Sequence, residues 1–261
     1  MAARFKTVTA AGDEAPWLAM VHGMSQDHRV FDSQVAAFRS RYRIVLIDLP
    51  GHGLSADLPG PYGHSELAKH TLGGLTAAAV SRCHYWATHT GTAVGLLLAS
   101  ENPARFRSLI LEGAVPPGHT MPSVDKEIRR ARETAQKQGV AAARRQWFDQ
   151  AAWFEVMRAR PEECRAAAHR DIVADFSGAP WLYAGAAQPV ASIDDRLATL
   201  DVPVLLYNGE HDLADFADAA AILGVRLPNV RRATIPDAGG FPAWEFPDRV
   251  NRIVADFLDP L

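Results

Sequence analysis

Apolar residues recur along the chain in short runs that end at glycine, proline, asparagine or aspartate. Such runs, rich in β-branched and aromatic residues, predict strands at 17–22, 43–48, 83–88, 108–112, 204–208 and 230–235. Within these runs the apolar positions are nearly continuous and do not alternate with polar ones. That pattern is typical of parallel strands that are covered by helices on both faces.

Between the strand runs, apolar residues recur at the spacing of one face of a helix. This spacing predicts helices at 31–39, 65–75, 90–101 and 247–258, with Ser65 as the N-cap of the second. Because strands and helices alternate, the sequence predicts an α/β fold with a mainly parallel, doubly wound sheet.

Residues 116–198 interrupt this alternation with a basic and aromatic stretch that has helical spacing and no strand pattern. The stretch is either a set of extra helices at the sheet edge or a lid over a pocket. We favour an inserted helical lid, because it follows a strand end, where α/β proteins bind ligands. Residues 1–115 and 199–261 then form the core. The aromatic residues expected to bind substrate are Trp147, Trp153, Phe154 and Trp181.

Composition excludes several classes of function. The 261 residues are 48% hydrophobic, which suffices for one large core, and the net charge of -3 argues against nucleic-acid binding. No apolar run is long enough to span a bilayer, and the N-terminal stretch lacks the apolar core of a signal peptide. We therefore expect a cytoplasmic protein without a membrane partner.

The two cysteines, Cys83 and Cys164, form no metal-binding or redox pattern, and we expect buried, reduced thiols. The sequence indicates neither a metal site nor a cofactor. The expected partner is a small-molecule substrate, and a homodimer is compatible with the sequence.

Five short stretches at the ends of the predicted strands resemble the α/β-hydrolase superfamily in order and spacing. They are His22-Gly23 and the segments 48–53 (DLPGHG), 87–91 (ATHTG), 209–212 (GEHD) and 236–242 (PDAGGFP). The resemblance covers nearly the whole chain. It is strongest to the lidded branch that contains meta-cleavage-product hydrolases, small esterases, haloperoxidase-like proteins and cofactor-free dioxygenases. It implies the α/β-hydrolase fold with a helical lid.

The same resemblance implies an unusual set of catalytic residues. The family presents a serine in a G-x-S-x-G nucleophile elbow and places its histidine after the last strand. Here His89 takes the serine position, Gly240 takes the histidine position, and Asp212 stands at the position of the acid. The backbone N–H groups of Met24 and Thr90 match the family's oxyanion hole.

These substitutions suggest a compensating arrangement. The ring of His89 would fill the space vacated at Gly240 and face Asp212, forming a His-Asp dyad. Such a carboxylate would raise the pKa of His89 above about 6.5. His28 is a reserve base expected at the pocket mouth. A metal site built from His89, His28 and Asp212 is disfavoured because the ligand spacing is absent.

Three functions are consistent with these residues. The leading hypothesis is hydrolysis of an ester-like or activated carbonyl bond in a small apolar substrate, with His89 as base on water or, less favoured, as nucleophile. The second is a cofactor-free oxygenase or lyase in which the same dyad removes a substrate proton. The third is a non-catalytic protein that binds a ligand in the retained pocket.

Overall fold

A seven-stranded sheet forms the centre of the protein. The computed structural model describes residues 4–185 and 190–261. The strands are β1 (Phe5–Val8), β2 (Trp17–Val21), β3 (Arg43–Ile47), β4 (Cys83–Thr88), β5 (Phe106–Glu112), β6 (Val204–Gly209) and β7 (Val230–Ile235). Their order is β1-β3-β2-β4-β5-β6-β7, with β1 antiparallel to β3 and all other pairs parallel. The predicted parallel α/β sheet is therefore confirmed.

Helices cover both faces of the sheet. They are α1 (Asp32–Phe38), α2 (His64–Ala77), α3 (Thr90–Glu101), α4 (Pro122–Gln138), α5 (Val140–Gln150), α6 (Glu155–Ala159), α7 (Ala166–Asp175), α8 (Ala179–Leu182), α9 (Asp194–Leu197), α10 (Ala214–Arg226), α11 (Pro242–Glu245) and α12 (Pro247–Leu258). Alternate residues of β2 enter opposite cores: Leu18 packs in the cluster that contains α1 and α12, and Ala19 in the cluster that contains α2 and α3.

The register of the parallel strands brings their carboxyl ends to one edge of the sheet. Val21 pairs with Ala87, Thr88 with Glu112, and Glu112 with Tyr207. The loops after β2, β4, β5 and β6 therefore lie side by side. This edge is where doubly wound sheets bind ligands.

Residues 116–198, here called the helical segment, hold α4 to α9 and, in their described part, no strand; 186–189 lie outside the described residues. Its side chains do not form a separate core. Trp147, Phe154 and Trp181 belong to the same buried cluster as Leu18 and Trp86 of the sheet. The segment is thus packed directly on the α/β core.

Some predicted details were wrong. The short edge strand β1 and the helix α10 were not predicted. Ser65 does not cap α2, because the helix begins one residue earlier after Gly63, which provides no side chain for a cap. Both cysteines are free and buried, as expected. None of the helices in the described ranges is long and apolar enough to cross a membrane.

Candidate active site

His89 lies at the apex of the turn that joins β4 to α3. Its backbone has φ 43° and ψ -112°, a conformation that is costly for a residue with a Cβ. Two backbone hydrogen bonds hold the turn: the His89 N–H donates to Glu112 O at 2.9 Å, and Thr92 N–H donates to His89 O at 2.7 Å. This sharp strand-to-helix turn has the geometry that exposes a reactive side chain at the top of a sheet.

Two glycines make room for the imidazole ring. A Cβ on Gly113 would lie 2.6 Å from Cδ2 and 2.7 Å from Nε2 of His89, and a Cβ on Gly23 would lie 3.0 Å from its Cβ. The ring is also packed against Phe216 and Phe241, at centroid distances of 4.9 and 5.1 Å. The surroundings of His89 are therefore shaped to an imidazole and are mostly apolar.

The electrostatics of His89 contradict the predicted dyad. Burial lowers the pKa of His89 to about 4, and a hydrogen bond to the backbone of Gly240 offsets only part of this shift. Within the described residues, Nε2 has no hydrogen-bond partner, and no hydrogen bond joins the ring to Asp212. The expected rise of this pKa is thus wrong in sign, because desolvation is not balanced by a carboxylate. The ring is neutral at pH 7.

Asp212 follows β6 and has its own surroundings. Its Oδ1 accepts a hydrogen bond from Leu213 N–H at 2.8 Å, whereas Oδ2 is buried with no partner in the described part of the chain. Burial, with a contribution from the charge of Glu245, raises the pKa of Asp212 to about 8. This carboxyl is therefore mainly protonated at pH 7 and does not provide the negative charge that an orienting acid requires.

The space at Gly240 is filled by the helical segment and not by His89. A Cβ on Gly240 would lie 2.6 Å from Trp153 Cβ and 2.9 Å from Trp153 O. The Gly240 N–H donates to that same carbonyl at 3.3 Å. The hypothesis that the ring of His89 occupies the vacated position is therefore wrong.

A small apolar cavity of about 50 Å³ adjoins His89 and is closed in part by the helical segment. None of its ten lining residues in the described chain is Asp, Glu, Lys or Arg. They are Met24, His89, Thr90, Val115, Val124, Ile128, Trp147, Trp153, Phe216 and Phe241. The predicted residues Met24, Thr90, Trp147 and Trp153 are thus brought together with His89. In the described chain, no acceptor engages the backbone N–H of Met24 or Thr90.

Three other predicted residues lie away from this cavity. Phe154 is buried behind it and stacks on Phe241 at 4.8 Å, and Trp181 packs against Trp147 at 5.3 Å. His28 is not at the pocket mouth, because its Nδ1–H donates to Asp48 at 2.7 Å and its Nε2 accepts from Lys6 Nζ at 2.7 Å. These two bonds fix His28 at the start of a short 3₁₀ helix, His28–Phe31.

A buried histidine that the sequence did not single out lies behind the cavity. His169 of α7 is fully buried, and its centroid is 4.9 Å from that of Phe241. Its Nε2 is 3.5 Å from Nε2 of Gln26, whose Oε1 is 3.1 Å from Thr88 Oγ1. Burial lowers the pKa of His169 to about 3. No pattern in the sequence indicates this contact, since Gln26 and His169 are 143 residues apart.

Two buried glutamates below the site were also missed. Glu112 Oε2 accepts from Ala243 N–H at 2.8 Å, and Glu245 Oε2 accepts from Gly239 N–H at 2.6 Å. Burial raises their pKa values, to about 8 for Glu112 and about 7 for Glu245. The sequence offers one signal for Glu112, which is a charged residue at the end of an otherwise apolar strand. No group of three or more His, Cys, Asp or Glu in the described ranges is arranged to hold a metal ion.

Comparison with known proteins shows the family of this chain. The alpha/beta hydrolase fold family matches residues 16–247, so the chain belongs to this family. A 2-succinyl-6-hydroxy-2,4-cyclohexadiene-1-carboxylate synthase from Enterobacter sp. (strain 638) is 28% identical, over 93% of this chain and 92% of that protein. A 3-oxoadipate enol-lactonase from Acinetobacter baylyi is 23% identical, over 77% of this chain and 73% of that protein. The crystal structure of an enol-lactonase from Burkholderia xenovorans LB400 superposes with a TM-score of 0.85 at 23% identity, over 98% of this chain and 96% of that chain.

Proposed function

We propose that this member of the α/β-hydrolase fold family hydrolyses an activated ester or lactone bond in a small, uncharged, apolar substrate. The observation that carries the proposal is the placement of His89. Its ring stands at the apex of a strained turn and lines an apolar cavity together with Met24 and Thr90, whose backbone N–H groups have no acceptor among the described residues. Strained backbone at a residue with a Cβ persists where the surrounding structure enforces it, and such strain clusters at active sites.

In the proposed reaction, neutral His89 acts as a general base. A ring nitrogen takes a proton from water as the water oxygen attacks the carbonyl carbon. The N–H groups of Met24 and Thr90 hold the developing oxyanion. The C–O bond to the leaving group then breaks, and the proton on His89 passes to the departing oxygen. Asp212 has no role in this reaction, because it is mainly protonated at pH 7 and, in the described chain, makes no hydrogen bond to the ring.

The low pKa of His89 restricts the substrates. An imidazole with a pKa of about 4 is a weak base, although it is always deprotonated at physiological pH. It therefore suits carbonyl groups with a stable leaving group, such as phenyl esters and enol lactones. Relatives named as enol-lactonases support this class. The absence of Asp, Glu, Lys and Arg from the cavity's described lining supports an uncharged substrate.

A screen of neutral phenyl esters and enol lactones tests the proposal. His89→Ala should lower kcat/KM by about 10²- to 10⁴-fold, the usual contribution of a general base. Because the neutral ring is the active form, turnover should be constant from pH 6 to 8 and fall only as the pH approaches 4. Near-full activity of His89→Ala contradicts the proposal, and a pH profile that Asp212→Asn shifts would restore the dyad hypothesis.

A second candidate is a binding protein without turnover. The observation that favours it is Trp153, which fills the position of the family's histidine. In this case a neutral lactone binds and is recovered unchanged, and His89→Ala changes its Kd but produces no chemistry. Product analysis by mass spectrometry after prolonged incubation separates this outcome from slow hydrolysis. If the protein is an oxygenase or lyase in which His89 removes a substrate proton, the same assay detects a product whose mass is not that of the substrate plus one water.

A further inference from the structure

The loop after β2, residues 22–27, carries the Met24 N–H group and is held in an unusual conformation. Ser25, the next residue, is buried and has φ 62°, in the left-handed region. Its N–H donates to His52 Nε2 at 3.2 Å. The position of the Met24 N–H therefore depends on contacts that stabilise an intrinsically unfavourable loop.

The helical segment provides two of these contacts. Trp147 Nε1–H donates to Ser25 Oγ at 2.7 Å, and His169 Nε2 lies 3.5 Å from Gln26 Nε2. The two residues that directly follow Met24 are thus both contacted by side chains from helices that pack over the sheet edge. The packing of the helical segment and the conformation of loop 22–27 are therefore linked.

The Gln26 amide also joins the two halves of the site. Its Oε1 accepts from Gly23 N–H at 3.1 Å and from Thr88 Oγ1 at 3.1 Å. Gly23 precedes Met24 in the chain, and Thr88 precedes His89. One side-chain oxygen therefore sets the distance between the proposed oxyanion donor and the proposed base.

These bonds also fix the orientation of the amide and the tautomer of His169. Because the Gly23 N–H requires an acceptor, Oε1 faces Gly23, and the Gln26 NH₂ group faces His169. His169 Nε2 must then accept, so the ring proton is on Nδ1. In the described chain His169 Nδ1 has no hydrogen-bond partner, which leaves Nε2 as the ring's one polar contact.

We infer that His169 and Gln26 are positioning residues: by accepting from the Gln26 amide, His169 holds the oxygen that sets Met24 and His89 in register. The helical segment thereby completes the site and does not merely cover it. Only the activity readout of this inference rests on the proposed function. The contacts themselves are tested without turnover.

The first test is NMR of the protein with ¹⁵N-labelled histidine. We expect His169 to be protonated on Nδ1. Gln26→Glu keeps an acceptor for Gly23 and Thr88 but cannot donate when ionised, so the proton of His169 should move to Nε2. His169→Phe should shift the Met24 amide resonance, whereas Asp171→Asn, an exposed change on the same helix, should not. A wild-type ring protonated on Nε2, or an unmoved Met24 resonance in His169→Phe, overturns the inference.

The second test is kinetic and uses the neutral phenyl esters or lactones that are turned over. His169→Phe should lower kcat by about 10-fold or more with KM changed less than about 3-fold, because misplaced transition-state donors reduce the chemical step. His169→Gln places an acceptor near the Nε2 position and should restore much of kcat. Equal kcat in His169→Phe and Asp171→Asn overturns the inference. If the wild type has no activity, the proposed function fails, and the NMR result still decides this inference. If His169→Phe does not fold, Gln26→Glu provides the NMR result.

Discussion

Two histidine-carboxylate regions lie at the same edge of the sheet and differ in how their polar groups are satisfied. At the ends of β2 and β3, Asp48 accepts from His28 N–H and Nδ1–H, both at 2.7 Å, and from Leu54 N–H at 2.8 Å. At the ends of β4 and β6, His89 Nε2 and Asp212 Oδ2 have no partner in the described residues.

The two aspartates consequently differ in charge. Burial by itself would raise the pKa of Asp48. The hydrogen bond from His28 and the nearby histidine charges outweigh this effect and lower the pKa to about 2. Asp212 has one backbone hydrogen bond and a pKa of about 8. A saturated network fixes the first region, whereas the second retains buried polar groups without partners, a feature that can accompany a functional site.

The largest expected effect is on the saturated region. Asp48→Ala leaves several buried donors without an acceptor and should lower the free energy of unfolding by about 3–5 kcal/mol. Asp212→Asn should instead raise it at pH 7 or leave it unchanged, because the buried carboxyl must take up a proton on folding and the amide need not. Urea unfolding of both variants measures the difference, and equal losses would show that the two regions do not differ.

A substitution at Gly113 tests how tightly the second region is shaped. Gly113→Ala introduces a Cβ within 2.7 Å of His89 Nε2 at a residue with φ 56° and should cost about 2–3 kcal/mol. Gly73→Ala is the matched control, because a Cβ at Gly73 in α2 would meet no atom within 4 Å. This change should raise the free energy of unfolding by about 0.5–1 kcal/mol. In a double-mutant cycle His89→Ala should remove the steric part of the loss. An additive cycle would contradict the contact.

A histidine at position 240 tests whether the family's usual triad is recoverable. Gly240→His should cost about 1–2 kcal/mol, because its Cβ meets Trp153 Cβ and backbone carbonyl. Alanine at position 153 keeps both of those atoms and brings no relief. We expect His89→Ser with Gly240→His to have no more esterase activity than His89→Ser alone. Higher activity in the double variant would show that the helical segment moves to make room for the histidine.

The smallest effect is on the pH dependence of stability. Asp212 keeps its proton in the folded state up to about pH 8, whereas the unfolded chain loses it near pH 4. Its contribution is therefore lost as the pH rises. Between pH 6.5 and 8 the slope should become less negative by about 1 kcal/mol per pH unit in Asp212→Asn. Asp171→Asn, an exposed change, should leave that slope unchanged. Unchanged slopes in both variants would contradict the raised pKa.

The sequence predicted the sheet because its central strands are buried on both faces and leave an unbroken apolar signal. It missed β1, which is a half-exposed edge strand of four residues. It predicted α3 and α12 to the residue, since both begin at clear boundaries.

The site was less predictable. Position in the chain correctly brought His89, Met24 and Thr90 to one cavity, because the turn after a strand fixes them locally. It failed for His28, Asp212 and Gly240, where the outcome depends on partners far along the chain. Tertiary packing decides that Asp48 bonds to His28 and that Trp153 lies against Gly240. It also decides the pKa of the buried imidazole of His89.

The small size of the cavity beside His89 has a consequence for the timing of binding. About 50 Å³ is well below the roughly 300–1,000 Å³ of typical ligand sites, so a substrate fits only after the surrounding walls separate. The apparent Kd is then the intrinsic Kd divided by the open fraction, so measured Kd values rise as that fraction falls. At high ligand concentration, the observed rate of association should reach a plateau that is set by the rate at which the cavity opens. This protein would then control how often a substrate is admitted as much as how fast it is converted.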